Sequence, residues 1–340
     1  MKIAVYGAGS MGTITGALLA RAGNDVTLID INEAHVRALN EKGAHVTGFM
    51  DFVQPIKAAL PDEVTETFDY IVYLTKPTSN ESSLGNVARL LKPEGTVIVG
   101  QNGMPEEAVA EVVGRERVVG CIIGWGATWM EPGVSKLTSP VELMDFHLAE
   151  MDNRVTDRIR EIEALFNGAG KAHIIDDLKG GRFSKLIVNC CFSTMGTILN
   201  GTFGSVIDSP HGIRCAAHIY NEAMAIANTA GYKLIPPIEG FDFNILTFKT
   251  NEEMEELIPL FQFLVSEHRN IKPQLIFDIE AGRYPEIDTT YTGILLRLGK
   301  QHNIPTPVNE QVFDVIHRTA VGELPLDAAN VDLIKLPDLS

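Results

Sequence analysis

The sequence predicts an α/β protein in which a doubly wound parallel sheet is followed by an all-helical domain. Three observations lead there. Short, almost continuously apolar runs alternate with helical stretches through the first half of the chain, the pattern of parallel strands buried on both faces. A glycine-rich turn joins the first such run to the first helix. Near residue 177 the strand-like runs stop and the periodicity becomes almost wholly helical.

Residues 2–7 (KIAVYG) read as a buried strand, 10–22 (SMGTITGALLARA) as a helix with small residues on one face, and 25–30 (DVTLID) as a second strand. Further strand-like runs lie at 68–75, 96–100 and 117–123, with helices at 83–92 and 105–113 between them. The segment HLAEMD closes this block; RIREIEALFNGAG reads as a helix and AHIID as a short strand. Helices are then expected at 180–200, 211–230, 252–268, 287–302 and 309–318. The domains are expected at 1–177, 178–322 and, as a surface tail, 323–340.

A chain of 340 residues suits two domains. Its 45% hydrophobic and 21% charged residues are ordinary for a globular protein with a sizeable core. The formal net charge of -16 and the scatter of Lys and Arg argue against a nucleic-acid or anionic-membrane partner. The cysteines at 121, 190, 191 and 215 form no CxxC pair and read as buried thiols of a reducing compartment. No metal site is expected. Lys2 leads directly into IAVYG without a signal-like segment, and no apolar run reaches the roughly 18 residues of a membrane helix. A cytoplasmic location is the expectation.

Gly7-Ala8-Gly9-Ser10-Met11-Gly12 matches GxGxxG. The match follows a strand, opens a helix and precedes a second strand that ends in an acid, which is the context of a dinucleotide-binding turn. Gly7 would permit the tight turn, Gly9 the approach of a pyrophosphate, and Gly12 close helix packing. The helix N-terminus at Ser10 and Met11 would receive the phosphates. Asp30 stands 23 positions after Gly7, where a carboxylate can accept the ribose hydroxyls of NAD and repel a 2′-phosphate. NADH is therefore the preferred cofactor, with NADPH left open. Asp30 could equally cap the helix that follows.

Lys76 ends the run 68–75 just before Pro77, and Asn102 follows the run 96–100 at the same sheet edge. Ligands of doubly wound sheets bind outside such strand ends, although polar loop residues are common there. Lys185, Asn189 and Ser193 recur every four residues on an otherwise apolar stretch and should share one helical face. A lysine on a largely buried helix is costly without a partner or a purpose. Such a stripe could donate a proton and bind hydroxyl or carboxylate oxygens; its bland alternative is a solvated face. Glu286, just before a helix, reads as an N-terminal acid or as a carboxylate that orients a ligand or the lysine.

Together these pieces resemble the ketopantoate reductase (2-dehydropantoate 2-reductase) family. The resemblance rests on GAGSMG at 7–12, LTK at 74–76, QNGM at 101–104, KLIVNC at 185–190 and EIDTTYTGILLRLGKQHNIPTPVN at 286–309. It implies a Rossmann N-domain, an all-helical C-domain of the 6-phosphogluconate dehydrogenase C-domain type, and a substrate held between them. It implies Lys185 as general acid, Asn189 as a ligand of the substrate hydroxyl or carbonyl, Lys76 and Asn102 at the nicotinamide and substrate end, and Glu286 as the carboxylate supporting lysine and substrate.

Three positions depart from the family pattern. Ser193 stands where a second Asn is common. Gln274 stands where a carboxylate-binding Ser is typical, twelve positions before Glu286, and Asp30 replaces a basic residue after the second strand. The expected activity is reduction of ketopantoate, or a similar branched 2-oxo acid, to the (R)-2-hydroxy acid. The alternatives are an NAD-dependent D-2-hydroxyacid dehydrogenase of the same family and a non-catalytic dinucleotide sensor. The partner is a small-molecule 2-oxo acid; a monomer and a homodimer through the helical domain both stay open.

Overall fold

The computed structural model describes residues 1–236 and 240–340. The chain divides into two compact units, Met1–Leu178 and Lys179–Ser340.

The first unit holds strands β1 (Lys2–Tyr6), β2 (Asp25–Ile29), β3 (Ala44–Gly48), β4 (Phe52–Gln54), β5 (Lys57–Ala59), β6 (Phe68–Tyr73), β7 (Leu91–Val99), β8 (Val118–Ile123), β9 (Ala127–Glu131), β10 (Val134–Leu137), β11 (Asp145–Glu150) and β12 (Lys171–Ile174). Its helices are α1 (Ser10–Arg21), α2 (Glu33–Lys42), α3 (Asn80–Leu90), α4 (Glu106–Val113) and α5 (Asp157–Phe166). Eight strands form one sheet in the order β12-β11-β8-β7-β6-β1-β2-β5. Neighbours from β5 to β8 are parallel. The order reverses at β1, where the chain passes first to β2 on one side and later to β6 on the other. That is the switch point at which doubly wound sheets place ligands.

Alternation along each strand explains the continuous apolar runs. Ile3, Val5, Leu28 and Val72 point into one buried cluster, Ala4, Tyr6, Ile29 and Tyr73 into the other. On the first face, Ile14 and Leu18 of α1 and Ile159 and Ile162 of α5 join the cluster; on the second, Leu84 and Val87 of α3 and Val109 of α4 do so.

Two features of this unit escape the sequence pattern. β11 runs antiparallel to β8, so the sheet is mixed at that edge. A second sheet, ordered β4-β3-β10-β9, adds Ala44, Val46 and Leu137 to the first core. Its strands are short, and β9 is largely exposed, so neither periodicity nor a long apolar run announces them.

The second unit is helical: α6 (Leu178–Val188), α7 (Thr194–Ile198), α8 (Phe203–Asp208), α9 (Pro210–Ala230), α10 (Asn251–Val265), α11 (Gln274–Glu280), α12 (Ile287–Thr290), α13 (Thr292–His302) and α14 (Pro307–Ala320). The half-buried Glu222 of α9 accepts from Val308 N–H at 2.8 Å, Asn309 N–H at 3.1 Å and Asn309 Nδ2 at 2.7 Å. This carboxylate serves the free donors at the N-terminus of α14. The helix expected over 287–302 breaks at Tyr291, whose φ and ψ of -129° and -132° are far from helical.

Residues 323–340 are mostly exposed or half-buried but are pinned to the helices at a few points. Ile334 is fully buried, its carbonyl meets His211 Nε2 at 2.9 Å, and Gln311 brackets Lys335 with reciprocal bonds of 2.9 and 2.7 Å. Among the described residues no helix is long and apolar enough to cross a membrane.

Candidate active site

The glycine loop follows β1. Gly7 has φ +96°, a left-handed conformation that favours glycine. Its N–H donates to the Ile29 carbonyl at 2.8 Å. A Cβ at Gly7 would lie 2.6 Å from the Thr75 nitrogen, and one at Gly12 2.0 Å from the Gly7 carbonyl oxygen. Both glycines are sterically required. Gly9 differs: a Cβ there would meet nothing within 4 Å. Its glycine therefore leaves room for something outside the fold. Gly9 is also the N-cap of α1, so Ser10 and Met11 begin a helix whose first N–H groups can take an anion. These residues fit the pyrophosphate of a dinucleotide.

Asp30 follows β2, and its backbone N–H reaches the Ala59 carbonyl at 3.3 Å. Its carboxylate accepts from Asn32 N–H at 2.9 Å. The cap of α2 is Asn32, which accepts from His35 N–H at 3.1 Å. Helix capping therefore leaves Asp30 available for another role.

Lys76 and Asn102 are both half-buried and stand on loops that leave the sheet at adjacent strands. Lys76 has φ -66° and ψ 143°, the extended geometry that Pro77 imposes on its predecessor. The buried Gln101 joins the two loops. Its amide donates to the Thr75 carbonyl at 3.0 Å and to Asn80 Oδ1 at 2.7 Å. The glycine loop, the Lys76 segment and the Asn102 segment thus meet at the switch point. Gln101 has no role in the sequence beyond its place in QNGM, because its contact lies 26 positions away.

In the helical unit, Lys185 and Asn189 are half-buried and Val188 between them is exposed, so one face of α6 is accessible. The helix does not continue regularly. Residues Asn189–Ser193 form a π-helical turn, in which Thr194 N–H reaches back to the Asn189 carbonyl. The Thr194 hydroxyl takes up the Cys190 carbonyl and the Thr197 hydroxyl the Ser193 carbonyl at 2.7 Å. Wide turns of this kind recur at functional sites. The four-residue stripe expected of Lys185, Asn189 and Ser193 is therefore interrupted, and Ser193 is 7% exposed.

Glu286, 8% exposed, is the residue before α12. Burial pushes the Tyr291 phenol well above its ordinary range, and the neighbouring carboxylates of Glu286 and Asp278 push it the same way. Gln274 is exposed at the first position of α11. The preceding Pro273 packs on α7, where a Cβ at Gly196 would come within 2.9 Å of its ring.

Cys190, Cys191 and Cys215 are inert. Burial pushes the Cys190 and Cys191 thiols far up and Cys215 to about 12, so thiolate chemistry is closed to them. Among the described residues no group of three or more His, Cys, Asp or Glu could hold a metal ion.

Comparison with known proteins bears on the whole chain. Residues 3–146 match the ketopantoate reductase PanE/ApbA family, and residues 177–320 its C-terminal counterpart. The 2-dehydropantoate 2-reductase of Pyrococcus horikoshii is 29% identical over 313 residues, covering 91% of this chain and 94% of that protein. That of Mesorhizobium japonicum is 26% identical over 345 residues, covering 94% and 98%. The solved 2-dehydropantoate 2-reductase from Geobacter metallireducens GS-15 superposes with a TM-score of 0.79 at 25% identity, covering 94% of this chain and 99% of that one. A D-mandelate dehydrogenase in ternary complex with NADH and anilino(oxo)acetate shares the fold at a TM-score of 0.77 and 23% identity, with the same coverage. Matched along both of its units, the chain belongs to the ketopantoate reductase family.

Proposed function

We propose that this protein reduces ketopantoate, or a similar branched 2-oxo acid, to the (R)-2-hydroxy acid with NADH. The observation that carries the reading is Lys185: a half-buried lysine on the accessible face of α6, one turn before the π turn that begins at Asn189. An ammonium at that place can give a proton to a ligand oxygen.

In this reading the glycine loop binds the pyrophosphate and Asp30 the adenosine ribose. The bound nicotinamide supplies a hydride to C2 of the oxo acid. Lys185 Nζ gives its proton to the carbonyl oxygen as negative charge develops there, which yields the hydroxyl. The neutral amine then regains a proton from solvent. Glu286 keeps the lysine charged and accepts a hydrogen bond from a substrate hydroxyl. Asn189 holds the reacting oxygen, and Lys76 and Asn102 serve the nicotinamide and substrate end. The half-buried carboxylate of Asp30 would repel a 2′-phosphate, which supports NADH over NADPH. Buried, inert thiols suit a reducing compartment such as the cytoplasm.

A second reading, a D-2-hydroxyacid dehydrogenase acting on acids without a distal hydroxyl, is favoured by one observation. Ser193 is buried and Gln274 exposed, so the two positions expected to bind substrate offer different groups from those of the family pattern. NADH oxidation measured with ketopantoate, 2-oxoisovalerate, benzoylformate and no substrate decides between them. Highest kcat/KM with ketopantoate supports the first reading and with benzoylformate the second; a preference for 2-oxoisovalerate keeps the branched acid and discards the distal hydroxyl. Tight NADH binding without turnover of any oxo acid would leave a sensor.

A further inference from the structure

The turn that would hold the pyrophosphate is itself held from behind by two buried side chains. Thr13 is fully buried on α1 and His35 is 1% exposed on α2. The Thr13 hydroxyl donates to the Ala8 carbonyl at 2.7 Å. His35 Nε2 lies 2.7 Å from the same oxygen and 3.1 Å from Thr13 Oγ1. On the other side of the ring, Gly133 N–H donates to His35 Nδ1 at 2.9 Å. A ring nitrogen that accepts carries no proton. Nδ1 is therefore bare, Nε2 carries the hydrogen, and the imidazole is a neutral donor to Ala8.

The stereochemistry of the peptide turns this into a functional statement. The Ala8 carbonyl and the Gly9 N–H belong to one planar trans unit, so they point in opposite directions. Two buried donors pull the carbonyl inward, which aims the Gly9 N–H outward. Gly9 is exposed, and nothing stands within 4 Å on its Cβ side. The turn Pro132-Gly133 between β9 and β10 completes the device, since the Gly133 carbonyl also accepts His45 N–H at 2.8 Å. The second sheet is thereby fastened to the glycine loop through one imidazole.

We propose that Thr13 and His35 are positioning residues for the dinucleotide, presetting the Gly9 N–H as a phosphate donor before any ligand arrives. The proposal rests on the dinucleotide reading of the glycine loop. Preorganised donors cost no rearrangement on binding. The effect should fall on the phosphates and spare the nucleoside.

The test measures dissociation constants of NADH, ADP-ribose and adenosine for the wild type and for Thr13→Val, Thr13→Ser and His35→Leu, alongside thermal melts. Thr13→Val and His35→Leu should weaken NADH and ADP-ribose about tenfold, the scale of one lost charge-assisted hydrogen bond. Adenosine affinity should move less than twofold. Thr13→Ser, which keeps the hydroxyl, should bind as the wild type does, and the kinetic loss in the others should appear in the KM for NADH. Equal weakening of adenosine and ADP-ribose, or a fallen melting temperature with unchanged NADH affinity, overturns the proposal. If His35→Leu does not fold, the Thr13 pair still decides. A wild type that binds neither NADH nor ADP-ribose overturns the dinucleotide reading itself, which separates the two failures.

Discussion

Gln101 reaches across the sheet edge to Thr75, its amide nitrogen 3.0 Å from the Thr75 carbonyl, and so locks the loop that carries Lys76 to the loop that carries Asn102. The same amide donates to Asn80 Oδ1 at 2.7 Å, which in turn accepts from the Tyr73 hydroxyl at 2.9 Å. Two candidate ligand groups from neighbouring strands thus share one buried support.

Gln101→Leu removes that support at nearly constant volume. Stability should fall by about 1–2 kcal/mol for the lost buried hydrogen bonds. The KM values for NADH and oxo acid should rise several-fold, because the strand-end groups lose their fixed spacing. Denaturant unfolding combined with steady-state kinetics checks both, and unchanged KM values would remove Gln101 from the positioning of the site.

Lys185→Ala should lower kcat by about 10² or more, the usual scale for a lost general acid. The pH profile of kcat should lose its alkaline limb, since that limb reports the proton donor. A near wild-type rate would take Lys185 out of the mechanism.

Asp30→Ala should raise kcat/KM for NADPH relative to NADH by about tenfold, or ~1.4 kcal/mol. The carboxylate both holds the ribose and repels the extra phosphate, so the ratio should move through both cofactors. A ratio that stays put would return Asp30 to its bond with the Asn32 N–H.

His218 on α9 is 3% exposed, and the Phe248 ring lies edge-on at 5.2 Å. Burial lowers its pKa from 6.5 to about 4. Between these values the unfolded chain binds the proton and the folded chain does not, so stability rises with pH through this window. The contribution is complete above about 6.5 and is lost as pH falls towards 4. Urea unfolding at pH 7.5 and 5.0 should show a difference of about 2 kcal/mol from this residue. His218→Leu should remove that part of the pH dependence, and an unaltered dependence would refute the assignment.

Much of this protein could be read directly from residue order. Apolar runs such as IAVYG and DVTLI are long enough, and bounded clearly enough, to declare strands buried on both faces. Gly7, Gly9 and Gly12 declare their turn because each omits a side chain for a separate steric reason. Lys185 is conspicuous because a charge among apolar residues is costly anywhere. Such signals are local: spacing, size and charge along a few residues.

What the tertiary structure decided depends on groups that meet only after folding. The antiparallel placement of β11 and the second sheet follow from pairing partners, which short half-exposed strands do not encode in their own periodicity. The π turn at Asn189–Ser193, in which Thr194 N–H reaches the Asn189 carbonyl, alters the face that simple four-residue counting assigns to Ser193. Ile334 is buried only because the preceding helices leave a place for it. His35 looks like an ordinary helical residue in DINEAHVRAL. Its role becomes visible only when Ala8, Thr13 and Gly133, the last 98 positions away, close around one imidazole, because a hydrogen bond ties groups by distance in space and is blind to distance along the chain.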